Sequence, residues 1–129
     1  RGSQTTAHVK VGNLSGGTIT WGTAIEFTSA LSWGTFFGFV RVSMDKNTAD
    51  KCLITFNSEL ADNKTRAVVG TLSSTDTITV GTEVVTYADF KPQMLNLARD
   101  PHNPGRFWSP ISAASDYGWV IGHQIASFE

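Results

Sequence analysis

Apolar and polar residues alternate with a period of two along much of this chain, in short runs bounded by Gly, Asn, Asp and Pro. Half-buried β-strands leave that pattern, because successive side chains point to opposite faces. Ala7-His8-Val9-Lys10-Val11 and Thr18-Ile19-Thr20-Trp21 read as arms of a hairpin over 7–27, with Ser15-Gly16-Gly17 as the turn. Paired glycines reach the positive φ that a tight hairpin needs. Gly22 interrupts the second arm and predicts a bulge or bend before Thr23-Ala24-Ile25-Glu26-Phe27. The run 39–44 puts Val40, Val42 and Met44 on one face and Arg41 and Ser43 on the other, a strand with one buried side. Residues 45–50 turn the chain and 51–56 return it. The unbroken run Cys52-Leu53-Ile54 predicts an inner strand covered on both faces. A polar loop over 57–64 follows, and Thr65-Arg66-Ala67-Val68-Val69 leads onward.

The chain then repeats itself. Val11-Gly12-Asn13-Leu14-Ser15-Gly16-Gly17-Thr18-Ile19-Thr20-Trp21-Gly22-Thr23 returns as Val69-Gly70-Thr71-Leu72-Ser73-Ser74-Thr75-Asp76-Thr77-Ile78-Thr79-Val80-Gly81-Thr82, with one residue added at the turn. A truncated third copy begins at Val120-Ile121-Gly122. The strand 39–44 has its counterpart in 94–99, the turn 45–50 in Asp100-Pro101-His102-Asn103-Pro104-Gly105, and the returning strand in 106–111. Pro110 has no N–H for a ladder, so this last strand should be irregular or at an edge. Residues 117–125 read as a third strand, and a fourth would lie past Glu129. Self-similarity at about 50 to 60 residues marks units that bury their apolar faces by stacking on one another. The expected organisation is one β-repeat domain over 7–129, comprising a hairpin 7–27, a complete unit 36–85 and an incomplete unit 94–128. Residues 1–6 form a polar lead left by expression or processing.

A unit of four short antiparallel strands resembles a blade of a β-propeller. The order of Asp-rich turn, apolar return strand, small-residue loop and Val-Gly-Thr-Leu-Ser-x-x-x-Thr-Ile-x-x-Gly-Thr is similar to repeats of tail and fibre proteins of bacterial viruses, and of related secreted bacterial proteins. The resemblance covers 7–128. It implies an all-β fold of antiparallel propeller-type blades, about two and a half per chain, where a closed ring takes typically four to eight. It also implies a virion or extracellular structural and adhesive part, and it carries over no catalytic residue. Too few blades to close a ring predict that other copies, or other virion proteins, supply the missing contacts. The hairpin would then complete a neighbour's last unit, and a trimer would hold about six blades.

Composition narrows the function classes. Of 129 residues, 40% are hydrophobic and 16% charged, with a net charge of -1. Neither nucleic acid nor an anionic membrane has an electrostatic reason to bind, and no apolar run has the length of a membrane-spanning helix. Cys52 lies in an apolar run without a second cysteine and reads as a core thiol. Four tryptophans are many for the length: Trp21, Trp108 and Trp119 read first as packing wedges, and Trp33 in Ser32-Trp33-Gly34-Thr35 equally as an exposed ring. Exposed rings are platforms for sugars, and polar neighbours hold the hydroxyls. The candidate glycan platform is Trp33, His102, Asn103, Arg106 and Trp108.

His8, His102 and His123 are too scattered for a metal motif, and Asp45-Lys46-Asn47 with Asp50 lacks the Gly and Glu of a calcium loop. Asp100 with His102, or Asp116 with His123, are the nearest approach to a hydrolytic pair, and no nucleophile elbow accompanies them. No catalytic residue, metal or cofactor is expected. The reading is a structural or adhesive module rather than an enzyme; the alternatives are a free-standing lectin-like propeller and a glycan depolymerase.

Overall fold

The structure is a computed structural model that describes residues 5–31, 40–45, 50–58, 64–73, 76–87, 94–108 and 111–112. These residues are all-β, in several small antiparallel sheets, with neither a helix nor a closed ring of sheets among them. Trp33, Asp116, Trp119, His123 and the expected third strand at 117–125 lie outside the described residues.

The first unit is one long hairpin in two ladders. β1 (Thr5–Val9) pairs with β4 (Ile25–Leu31), and β2 (Gly12–Ser15) with β3 (Thr18–Trp21). Gly16 and Gly17, at φ 56° and 81°, make the turn. The amide of Gly22 donates to the carbonyl of Val11 at 2.9 Å and bridges the ladders where the sequence predicts a bend. In the second unit β5 (Val40–Met44), β6 (Lys51–Asn57), β7 (Thr65–Leu72) and β8 (Ile78–Val80) lie side by side, and β9 (Val84–Tyr87) also pairs with β7, completing a five-stranded sheet. β8 runs along 70–72 and β9 along 65–67, so the two form one broken edge.

The duplication holds to the level of single hydrogen bonds. Gly12 pairs with Trp21 and Leu14 with Ile19; Gly70 pairs with Val80 and Leu72 with Ile78. Gly81 donates to Val69 at 2.8 Å as Gly22 does to Val11. Val9 opposite Ile25 and His8 opposite Glu26 correspond to Ala67 opposite Val84 and Arg66 opposite Val85. The register then shifts at the same place in both copies, between Ala7 and His8 and between Thr65 and Arg66. Bulges re-aim a strand and raise its twist, so the two edges bend alike.

The third unit repeats the second. β11 (Ala98–Arg99) pairs with β12 (Phe107–Trp108) as Ser43 and Met44 pair with Leu53 and Cys52. β10 (Met94–Leu95) pairs with β13 (Ile111–Ser112) in the same register, Leu95 opposite Ile111 as Val40 is opposite Phe56. Asn96 and Leu97 lie between these two short ladders; Pro110, where an irregular or edge strand was expected, lies outside the described residues. Both turns close alike: Asp45 donates to Lys51 at 2.9 Å and Asp100 to Arg106 at 2.8 Å, with Asp50 and Gly105 left-handed at φ 71° and 69°. Gly adopts that conformation freely, and Asp tolerates it.

The units stack face to face through the second. Cys52, Ile54 and Phe56 of β6, with Val68 and Ile78, pack against Phe27 and the apolar residues of β1 and β4. The rings of Phe27 and Phe56 meet edge to face at 5.2 Å. On the opposite face Leu53 and Ala67 bury Phe107, with Val69 and Leu97 alongside. β6 is the doubly covered strand that its apolar run predicts. Two expectations need correction. Val42 and Met44, expected to be buried, are about half exposed because β5 is an edge that the first unit reaches only at Val40. Asn57 and Ser58, assigned to a polar loop, are buried, because β6 extends through Asn57 and Ser58 donates to Lys64 at 3.0 Å.

A Cβ on Gly70 would sit 2.5 Å from the Cys52 sulfur and 2.8 Å from Ile78 Cδ1, both in the core. Gly70→Ala is expected to cost about 1 to 3 kcal/mol, the usual range for overpacking, in urea unfolding. Gly12→Ala meets the exposed Trp21 ring, which can turn aside, and should stay within about 0.5 kcal/mol. Burial pushes the Cys52 thiol pKa up against a smaller opposing pull from the Gly70 backbone. The native protein should therefore react with a thiol reagent only as fast as it opens, and at full rate in urea.

Candidate functional site

Three of the five glycan-platform candidates, His102, Asn103 and Arg106, fall on the turn between β11 and β12, where the side chain of Asp100 organises the loop, and a fourth, Trp108, lies in β12. Its Oδ1 accepts the backbone amides of His102 at 2.8 Å and Asn103 at 3.2 Å, and Oδ2 accepts the Asn103 side-chain amide at 2.8 Å. Arg106 donates its backbone amide to the Asn103 carbonyl at 3.3 Å. This is the Asx geometry that places Asp at turn starts, reinforced by Pro101 and Pro104. The amide of Gly105 donates to Asp45 Oδ2 at 2.8 Å, tying this turn to the end of β5 in a buried contact.

His102, Asn103 and Arg106 on the turn and Trp108 in β12 are each exposed. Asn103 is partly spent there, because its side-chain nitrogen is held by Asp100 rather than offered outward. Asp100 accepts from the backbone amide of His102, which is the geometry of a turn. Asp45, considered for a cation loop, likewise directs a carboxylate oxygen at a backbone amide. Among the described residues no three His, Cys, Asp or Glu gather as metal ligands, and no helix is long and apolar enough to cross a membrane.

The larger feature is apolar. Leu14, Ile19 and Trp21 of the first hairpin are 69%, 50% and 56% exposed, whereas Ile78, the counterpart of Ile19, is 3% exposed. Trp21 is thus a surface residue with the Lys10 ammonium 5.0 Å from its ring centroid, and Trp108 is partly exposed. The two Val-Gly hairpins are equivalent inside and dissimilar outside: one is covered by a neighbouring unit and the other is not. Sequence reasoning missed Leu14 and Ile19, because the strand pattern is identical in both copies.

Comparison with known proteins finds no matching family, no matching curated protein and no matching solved structure.

Hydrogen bonds from the Asn103 side chain and then from the His102 amide hold the Asp100 carboxyl below its ordinary pKa. A lowered native value means that the folded state binds this proton less readily than the unfolded chain. The contribution is complete above the ordinary carboxylate range and is lost as pH falls through the native value. Melting temperatures on a descending pH series should fall more steeply for the wild type than for Asp100→Asn.

Proposed function

We propose that the protein is a structural and adhesive module that works by assembly, built of β-propeller-type blades and belonging to a virion or other extracellular particle, such as a bacteriophage tail or fibre. The observation that carries this reading is what the duplication keeps and what it varies. The two turns share their closing bond and their left-handed residue, yet Asp45 to Asp50 and Asp100 to Gly105 differ in nearly every side chain. Repeated binding sites would repeat their ligand-holding groups, while a scaffold repeats its packing. Stacked sheets with apolar end faces make a part to be joined to other parts, since exposed apolar patches of this kind mark interfaces. The resemblance to phage tail and fibre repeats points to the same role, with identical copies as the first partner, in a trimer, and other virion proteins as the second.

A second reading, a lectin-like contact with cell-surface glycan, is favoured by the exposure of His102 and Arg106 on one turn and of Trp108 in the strand that follows it. Aromatic faces stack on sugar rings, and the neighbouring donors bind hydroxyls.

Sedimentation of the purified chain should give species well above 13.9 kDa. A monomer throughout would remove the assembly role. On a glycan array any bound sugar should lose at least about tenfold in affinity with Trp108→Ala, the loss of a stacked ring being worth a kcal/mol or more. An array without hits would leave the scaffold role alone.

A further inference from the structure

The turn between β11 and β12 holds one bond that is chemically unlike most of the backbone. Asp100 precedes Pro101, so a carboxyl group lies beside a tertiary amide whose nitrogen leaves as a secondary amine. A carboxyl in that position can attack its own carbonyl carbon, because the reaction is intramolecular and closes a cyclic anhydride.

In the folded turn that carboxyl is occupied. Oδ1 accepts from the amides of His102 and Asn103, and Oδ2 from the Asn103 side chain. All of these donors follow the Asp100–Pro101 bond, so the side chain is folded forward along the segment that it could release. An ionised carboxylate suits them, whereas a protonated one carries an O–H and holds them less well. We propose that the turn is an acid-released latch on a self-cleaving bond: held at neutral pH, it frees the Asp100 carboxyl on protonation, and the chain cuts itself between Asp100 and Pro101.

The hydroxyl oxygen of the protonated carboxyl attacks the Asp100 carbonyl carbon. The bond from that carbon to the Pro101 nitrogen breaks, its electron pair goes to nitrogen, and the carboxyl proton follows it. The products are a cyclic anhydride on Asp100 and a free amine on Pro101. Water then opens the anhydride to a C-terminal aspartate, and Pro101 and His102 are exposed to it.

The groups about the carboxyl set where the latch opens. The Asn103 side chain is the strongest of the holds that keep Asp100 ionised, followed by the His102 amide, and the charge of His102 adds a smaller pull the same way. Arg99 and Arg106 flank the turn, and from the end of β5 Asp45 directs its carboxylate to the Gly105 amide. The cut leaves the neighbouring residues in place, because Phe107 is buried on the central sheet and Gly105 is tied to Asp45. Neither assembly nor glycan contact is needed for it.

The test uses the whole chain on a descending pH series, with circular dichroism following the fold and the mass of the denatured products following the cut. The wild type is expected to stay whole at neutral pH and to give fragments 1–100 and 101–129 in acid while still folded. Asn103→Ala should begin to cleave at a higher pH, because its Asp100 protonates sooner. Asp100→Asn keeps an acceptor for the two backbone amides, and Pro101→Ala keeps the carboxyl beside an ordinary amide. Each removes one half of the intramolecular reaction and should cut at least about tenfold more slowly. Cleavage that begins only after the wild type unfolds, or an Asn103→Ala onset equal to that of the wild type, would overturn the latch. Acid-treated wild type uncut at this bond would overturn self-cleavage altogether.

Discussion

β6 has no side of its own facing water, and the rest of the structure follows from that constraint. Cys52, Ile54 and Phe56 alternate with Leu53 and Thr55, and all are buried. A strand so composed is stable only when one layer lies on each face, so the sheet that holds it must be sandwiched. The first unit supplies one cover through Phe27, Val9 and Ile25, and the third supplies the other through Phe107 and Leu97. Neither cover is large: one is a single hairpin and the other, as described, pairs of two-residue strands. Such pieces are marginal alone and gain their stability by packing on the central sheet.

Small residues leave room at fixed places. Within the central sheet Gly70 leaves room for the Cys52 sulfur and Ile78 on the neighbouring strands, and between the first two units Gly22 lies so near the Asp76 carbonyl that any side chain would collide with backbone. The turns bind the layers from the side. Asp45 closes its own turn through its amide and reaches the amide of Gly105 with its carboxylate, so one residue serves two units. Asp100 occupies the same position in the next unit and spends its carboxylate on its own loop. The two aspartates share a backbone role and differ in what the side chain reaches.

Stacking by a repeated directional step always leaves two unlike ends, and apolar ends in water are unfavourable in proportion to their area. Among the described residues Leu14, Ile19, Trp21, Val42, Met44, Val84, Val85 and Trp108 are the large apolar side chains left exposed.

The sequence by itself determined the all-β class, the hairpin turns at Gly16 and Gly17, the interruption at Gly22, the double cover of β6 and the equivalence of the two turns. Each of these is local: it depends on a period of two, a left-handed residue or a continuous apolar run, and all are written in neighbouring residues. Tertiary structure alone decided which of two identical patterns is buried. Thr18-Ile19-Thr20-Trp21 and Thr77-Ile78-Thr79-Val80 alternate alike, yet only the second has a layer against it. For the same reason Val42 and Met44 were placed inside by their spacing and lie outside in the fold. On the Asp100 turn the sequence identified the residues, but only the coordinates showed that Asn103 is held inward by a carboxylate. Periodicity tells which face of a strand is apolar; whether anything covers that face depends on a partner that the strand's own residues do not encode.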